Sequence, residues 1–300
     1  MSGEDCESLE SAPLMSCRDP LRQSVQPRFD DAVGVLKQQL ADTSTRRVVV
    51  EPMASPIGCL SCLGPRLDDN SEGEVQLVAA LMHQPFDDEN ECHIAILNSV
   101  YLRLTGETDT PERYGPHWTQ IGFQGRDPVT DLRSVGIFGL LQMLSAIDRH
   151  HTTLKTLQNL NTRSPNFLPL MAVSLTFSLV AAQALLAGAL HGEVGRRGVL
   201  DAVNDLHAGM MSSFADRLMH HENYPEVLQD LGGVVTTLQD VRNEGGKYPG
   251  TLMASSATSR AASASSCNLH AMDIASSCSE SSDSDSEFLS DSASEDGPAL

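Results

Sequence analysis

From Phe167 to Leu190 the chain runs 24 residues without a charged side chain. A helix apolar on every side has two outcomes: it crosses a bilayer or it stands at the centre of a sizeable core. Pro169, Ser174, Thr176, Ser178, Gln183 and Gly188 interrupt the stretch, and its flanks carry Arg163 before it and Arg196–Arg197 after it. Neighbouring segments supply amphipathic faces that could cover it. The expectation is therefore a buried core helix with no transmembrane span, and an all-α fold built around it.

The rest of the chain divides by composition. Residues 1–25 mix Ser, Glu and Pro and read as a disordered N-terminus. Residues 26–70 hold one short amphipathic helix on Phe29, Val33, Val35, Leu36 and Leu40. A β-like run, Arg47–Val50, follows, then a Pro/Gly/Cys-rich breaker from Pro52 to Pro65 and a polar linker from Asp68 to Glu74. Residues 71–244 carry the helical patterning: Val75–Leu81, Ala95–Leu104, Asp148–Leu160, Gly198–Met219 and Tyr224–Arg242, with no internal repeat. Residues 245–300 turn to Ser, Ala and acid, which cannot bury enough apolar surface to offset the entropy of ordering. The reading is a single compact helical domain with two disordered tails.

Net charge bounds the partners. The chain carries −20, which excludes phosphate-backbone binding and hence nucleic acid as a partner. From Cys278 to Leu300 there are seven acids, eight serines and no Lys or Arg, so the folded part is nearer neutral. Seven scattered cysteines, with an acidic Met1–Cys6 that is neither secretory signal nor transit peptide, suggest reduced thiols in a cytoplasmic protein.

One stretch carries chemistry. Around Trp118, the only tryptophan, the chain reads Trp-Thr-Gln-Ile-Gly-Phe-Gln-Gly-Arg-Asp-Pro-Val-Thr-Asp-Leu-Arg133, and it continues through Gly136 to Leu140. Gly122 and Gly125 loosen the backbone, Asp127 is a good N-cap and Pro128 fits a first helical position. Val129, Leu132, Gly136, Leu140 and Leu144 recur at helical spacing, predicting a helix from there to about Ile147. Arg133 would fall in its second turn with Gly136 one turn along, a charged fork beside bare backbone where a partner's backbone or phosphate could approach.

These residues resemble the signature of the ELMO (engulfment and cell motility) domain family, roughly W-x-x-I-G-F-Q-G-x-D-P-x-T-D-F-R-G-x-G-x-L-G-L. The chain keeps Trp118, Ile121, Gly122, Phe123, Gln124, Gly125, Asp127, Pro128, Thr130, Asp131, Arg133, Gly136, Gly139 and Leu140. It departs at Leu132, where the family has Phe, and at Ser134, where it has Gly. Asn166–Val173 also looks like a second family region. The resemblance implies an all-helical domain over residues 71–244. It also implies a function: family members with the arginine act as GTPase-activating proteins for Arf and Arf-like small GTPases in their GTP-bound form, whereas longer scaffold members lack it and work with a Rac exchange factor. Arg133 points to the first branch, and a non-catalytic scaffold that binds a GTPase or its exchange factor is the alternative. A guanidinium supplied in trans stabilises charge developing on the transferring phosphoryl group, an effect worth about 10³–10⁵ in rate.

Each residue also has a plainer reading. Arg133 could pair with Asp127 or Asp131 to hold the corner, or Asp131 could position it. Trp118, Phe123 and Phe138 read as packing residues and Thr130 as a supporting residue of the motif, while Gln124 either holds the Gly-rich loop together or orients a water or switch segment. Cys59 and Cys62 have the spacing of half a zinc site, with Cys92–His93 further on, but a complete site needs four ligands; no metal and no cofactor is expected. His150–His151 and His220–His221 read as surface pairs. Ser279–Glu287 either solubilises the chain or accepts phosphate, which would add charge opposing any peripheral membrane contact.

Overall fold

The computed structural model describes residues 26–42, 67–163, 169–220, 231–247, 249–250 and 252–253. They lie in one compact unit, Met1–Ser263; a separate unit, Ala264–Leu300, lies outside the described residues. So do residues 1–25, the Arg47–Val50 run, the Pro52–Pro65 segment with Cys59 and Cys62, Asn166–Leu168 and the Ser279–Glu287 tract.

Among the described residues the fold is all-α. Helix α1 (Phe29–Asp42) forms on the expected spacing, burying Phe29, Val33 and Leu36. Helix α2 (Asp69–His83) starts earlier than composition suggested, because the polar Asp68–Glu74 stretch is its first turn and not a linker. The Asp68 carboxylate accepts the Ser71 N–H at 2.8 Å, and Asp69 and Glu72 face the positive end of the helix dipole. Helix α3 (Glu91–Thr105) is capped by Asn90 and closed by Gly106 in the left-handed region, φ 77°. Three short 3₁₀ turns follow, at Pro116–Ile121, Pro128–Thr130 and Leu132–Ser134.

Helix α4 (Gly136–Arg149) is the pillar. It is buried without a gap from Gly136 to Ile147 and packs against α1, α2 and α3 as well as three later helices. The first of these, α5 (His151–Arg163), is separated from α4 by His150 and does not begin at Asp148. The uncharged stretch yields α6 (Leu170–Leu186), which ends before Gly188, φ 79°. Helices α7 (His191–Arg197), α8 (Val199–Met219) and α9 (Leu231–Lys247) complete the domain.

Helix α6 packs against α2, α4, α8 and α9. Phe177 meets Phe214 of α8 edge-on at 6.0 Å between centroids. The helix is not covered all round: Ala172, Thr176 and Leu179 are only partly buried and Gln183 is exposed, a stripe at spacings of four, three and four residues. Among the described residues no single helix is long and apolar enough to cross a membrane.

The core draws on residues either side of the 71–244 segment. Phe29 donates its N–H to Asp148 at 2.8 Å, and Arg103 pairs with the same carboxylate, so α1, α3 and α4 are stapled together. Beyond α9, the Leu252 carbonyl sits so close to Gly209 of α8 that a Cβ there would lie 2.1 Å from it. Polar groups also occupy the interior. Gln142 donates to the Asn204 side chain at 3.1 Å and the Val203 carbonyl at 3.2 Å. His150, expected at the surface, is buried opposite Asp205 of α8 at 4.0 Å, because the chain turns inward between α4 and α5. His151 and His220 are exposed, and His221 lies outside the described residues.

Candidate functional site

The signature does not form one continuous helix. Asp127 and Pro128 do act as cap and first residue, with the Asp127 carboxylate accepting the Val129 N–H at 3.1 Å. What they start is a single 3₁₀ turn, and Arg133 sits in the next one. Apolar side chains three apart, Val129 and Leu132, suit either geometry. The decision is made from outside, where the C-terminal end of α2 abuts Gly136. The Ile137 N–H donates to the Gln84 carbonyl at 3.0 Å, and Gly136 adopts φ 53°. A Cβ on Gly136 would lie 2.5–2.6 Å from the carbonyl oxygens of Leu81, Met82 and Gln84. The bare backbone expected to face a partner is taken up by the chain's own α2.

Gly122 does the same on the other side of the loop. At φ 93° its missing Cβ leaves room for the start of α6, where the Leu170 nitrogen would be only 2.2 Å away. Its carbonyl accepts the Ala172 N–H at 3.1 Å. Trp118 is fully buried and donates its indole N–H to the Arg113 carbonyl at 3.1 Å. Its ring packs edge-on against Tyr101 at 5.2 Å and Phe123 at 6.0 Å. Trp118 and Phe123 thus anchor the loop to α3 from beneath.

The corner is closed by its own acids. Asp127 pairs with Arg113 at 2.9 Å, while its carbonyl accepts the Thr130 hydroxyl at 2.8 Å. Arg113 also pairs with Asp88; burial alone would lower its pKa, but these carboxylate hydrogen bonds outweigh that and raise it. Asp131 accepts the Gln124 N–H at 2.7 Å and lies 3.3 Å from the Thr130 hydroxyl. Both acids that Arg133 could have paired with are therefore spent on the loop. Asp131 shapes the corner that carries Arg133, and no ion pair joins the two.

Arg133 is exposed. Its Nε donates to the Thr130 carbonyl at 3.0 Å, and among the described residues its guanidinium forms no ion pair. That bond fixes the base of the fork. Arg133 and Ser134 border two cavities at once. The larger, about 440 Å³, takes Gln124, Thr130 and Asp131 from the signature and the open stripe of α6. The smaller, about 370 Å³, lies between the turns and the end of α2, around His83, Phe86 and Val129. Arg133 therefore stands on a ridge between two concave surfaces.

Sequence reading missed Arg242 of α9, which lines the larger cavity, as do Leu175 and Leu179. Nothing in its local sequence marks it, since helical spacing gives only an exposed position. His93, noted in the sequence beside the incomplete Cys59/Cys62 spacing, has both ring nitrogens engaged. Nδ1 receives the Asp87 N–H at 3.0 Å, and Nε2 meets the Gln84 side-chain amide at 3.2 Å. Burial lowers its pKa and favours the neutral ring, although the nearby Asp87 pulls the other way.

The fold and the ridge define a helical domain organised around a glycine-bounded loop that presents Arg133. Residues 76–225 match the ELMO/CED-12 family model, half of the chain, and the chain belongs to that family. It is 30% identical over 178 residues to ELMO domain-containing protein 3 of Mus musculus, covering 57% of this chain and 47% of that protein. It is 35% identical over 75 residues to ELMO domain-containing protein 1 of Mus musculus, covering 25% of this chain and 23% of the other. With ELMO domain-containing protein 2 of Homo sapiens the figures are 34% over 67 residues, 22% and 23%. The chain spans less than half the length of these relatives. No solved structure matches it.

Proposed function

We propose that the chain stimulates GTP hydrolysis by a small GTPase of the Arf or Arf-like class, with Arg133 supplying positive charge to the nucleotide site. The observation that carries the reading is the state of Arg133: exposed on a ridge, tethered among the described residues through Nε alone, with Asp127 and Asp131 committed elsewhere. Arg113, at the same corner, pairs with Asp127 and holds the loop in its place. Family membership supports the same reading.

In this mechanism the GTPase supplies the nucleotide and the attacking water. The guanidinium approaches the phosphates as charge builds on them and lowers the barrier without changing its own bonding. The rigid corner matters because an arginine already held in place loses less side-chain freedom when the complex forms.

Single-turnover hydrolysis by a GTP-loaded Arf-class GTPase tests the reading. Arg133→Ala and Arg133→Lys should both lose most of the stimulation while keeping the wild-type melting temperature, since ammonium lacks the planar fork. Undiminished stimulation by a folded Arg133→Lys protein would refute it and leave the scaffold reading.

A further inference from the structure

Arg133 shares its cavity with a second unpaired arginine. Arg242 on α9 is exposed and lines the same 440 Å³ cavity. Several other arginines are matched with carboxylates: Arg103 with Asp148, Arg113 with Asp127, Arg149 with Asp201, Arg197 with Asp205 and Arg217 with Glu244. Arg126 of the loop is exposed and, among the described residues, also forms no ion pair, but it does not line the cavity. Among the described residues Arg242, like Arg133, forms no ion pair. Acids outnumber bases forty to twenty in the chain, so carboxylates are not scarce. The one acid lining the cavity, Asp131, is turned into the loop by the Gln124 N–H and the Thr130 hydroxyl. Between the two arginines α6 contributes Leu175, Leu179 and Thr176, a surface part apolar and part polar.

We propose that this cavity is a docking surface for an acidic segment of the GTPase, with Arg242 the residue that holds it there and helps set which GTPase is accepted. The inference rests on the reading that Arg133 acts on a GTPase, and it adds a different role for a different residue. Arg133 belongs to the matched segment 76–225, whereas Arg242 and the whole of α9 lie beyond it. One side of the cavity thus comes from the family motif and the other from a helix outside the match. Charges at the edge of an interface act mainly on encounter and specificity. Arg242 should accordingly govern the concentration at which the chain works, and Arg133 the rate at saturation.

The experiment is single-turnover hydrolysis by GTP-loaded Arf and Arf-like GTPases, titrated with the full chain. Arg242→Glu should raise the half-maximal concentration about tenfold, leave the saturating rate unchanged and flatten the dependence on salt. Arg242→Lys should recover most of the loss, because point charge suffices for docking. Arg133→Ala should show the converse pattern, a lower saturating rate. Arg242→Ala, which adds no charge to α9, replaces the Glu variant should that one have a lowered melting temperature. An unchanged half-maximal concentration for Arg242→Glu, alongside lost stimulation for Arg133→Ala, overturns the docking role and leaves the Arg133 reading intact. A lower saturating rate at unchanged half-maximal concentration overturns it too, by moving Arg242 into the reaction. Arg242-dependent binding to phosphatidylserine vesicles without any effect in solution makes the cavity a lipid site and overturns it. If neither Arg133 variant affects hydrolysis, or the wild type stimulates no GTPase tested, the reading beneath it falls as well.

Discussion

Replacing Gly122 by alanine should cost far more than replacing Gly125, three residues along the same loop. Gly122 sits at φ 93°, where an L side chain is strained by about 1–2 kcal/mol. Its new Cβ would also stand 2.2 Å from the Leu170 nitrogen and 2.6 Å from the Pro169 carbonyl carbon. These are backbone atoms, so relief requires the start of α6 to move by more than an ångström, an overpacking cost of about 1–3 kcal/mol. That movement breaks the bond from the Ala172 N–H to the Gly122 carbonyl, worth about 1 kcal/mol. Together these destabilise the domain by about 3–6 kcal/mol. For a domain of this size that is a fall in melting temperature on the order of 10–20 °C. Gly125 has nothing within 4 Å of its would-be Cβ and no positive φ, so Gly125→Ala should stay within about 0.5 kcal/mol of wild type. Thermal and urea denaturation of the two variants side by side measure the difference. Equal melting temperatures would refute the argument that this glycine exists to seat α6.

Three further outcomes follow from the packing and charges. Phe177→Ala, deep in the core against Phe214, should cost about 3–5 kcal/mol in urea denaturation, whereas Leu179→Ala, which only borders the cavity, should cost well under half of that. His207 is held down to about 3 by burial, with His150 nearby adding to the effect. Its contribution to stability is whole above the unfolded value of about 6.5 and is lost as pH falls from there towards 3, at up to about 1.4 kcal/mol per pH unit. Urea midpoints at descending pH measure that slope, and His207→Gln should flatten it. Asp127→Ala removes a cap and the Arg113 ion pair, so it should destabilise by about 1–2 kcal/mol and also lower the saturating rate of GTP hydrolysis; Asp127→Asn, which keeps an acceptor for the Val129 N–H, should lose less on both counts.

Those residues also mark what a sequence can and cannot announce. Local chemistry was legible wherever it was decided locally. Asp127 and Pro128 start a turn, Phe29 to Leu36 carry one apolar face, and the uncharged stretch becomes a core helix. What escaped was decided across space. The break between Leu132 and Gly136 is imposed by carbonyls at the end of α2, some fifty residues earlier, and the apolar spacing is the same with or without it. His150 looked like half of a surface pair because its burial depends on Asp205 of α8. The Asp68–Glu74 stretch was misread for the opposite reason: acidic residues that suit a helix start also suit a linker, and composition alone weighs them equally.

The signature itself divides in a way its letters do not. Of the residues singled out in it, Gln124, Thr130, Asp131 and Arg133 border the larger cavity. Trp118 and Phe123 are buried beneath the loop, and Gly122 and Gly136 admit α6 and α2 on either side. Most of the motif therefore builds a support and little of it offers contact. A rigid support is what an exposed arginine needs, because a long side chain on a loose loop would lose in ordering entropy much of what its charge contributes. Leu175, Thr176, Leu179 and Arg242 lie outside the signature, so the motif supplies only part of the lining of the larger cavity.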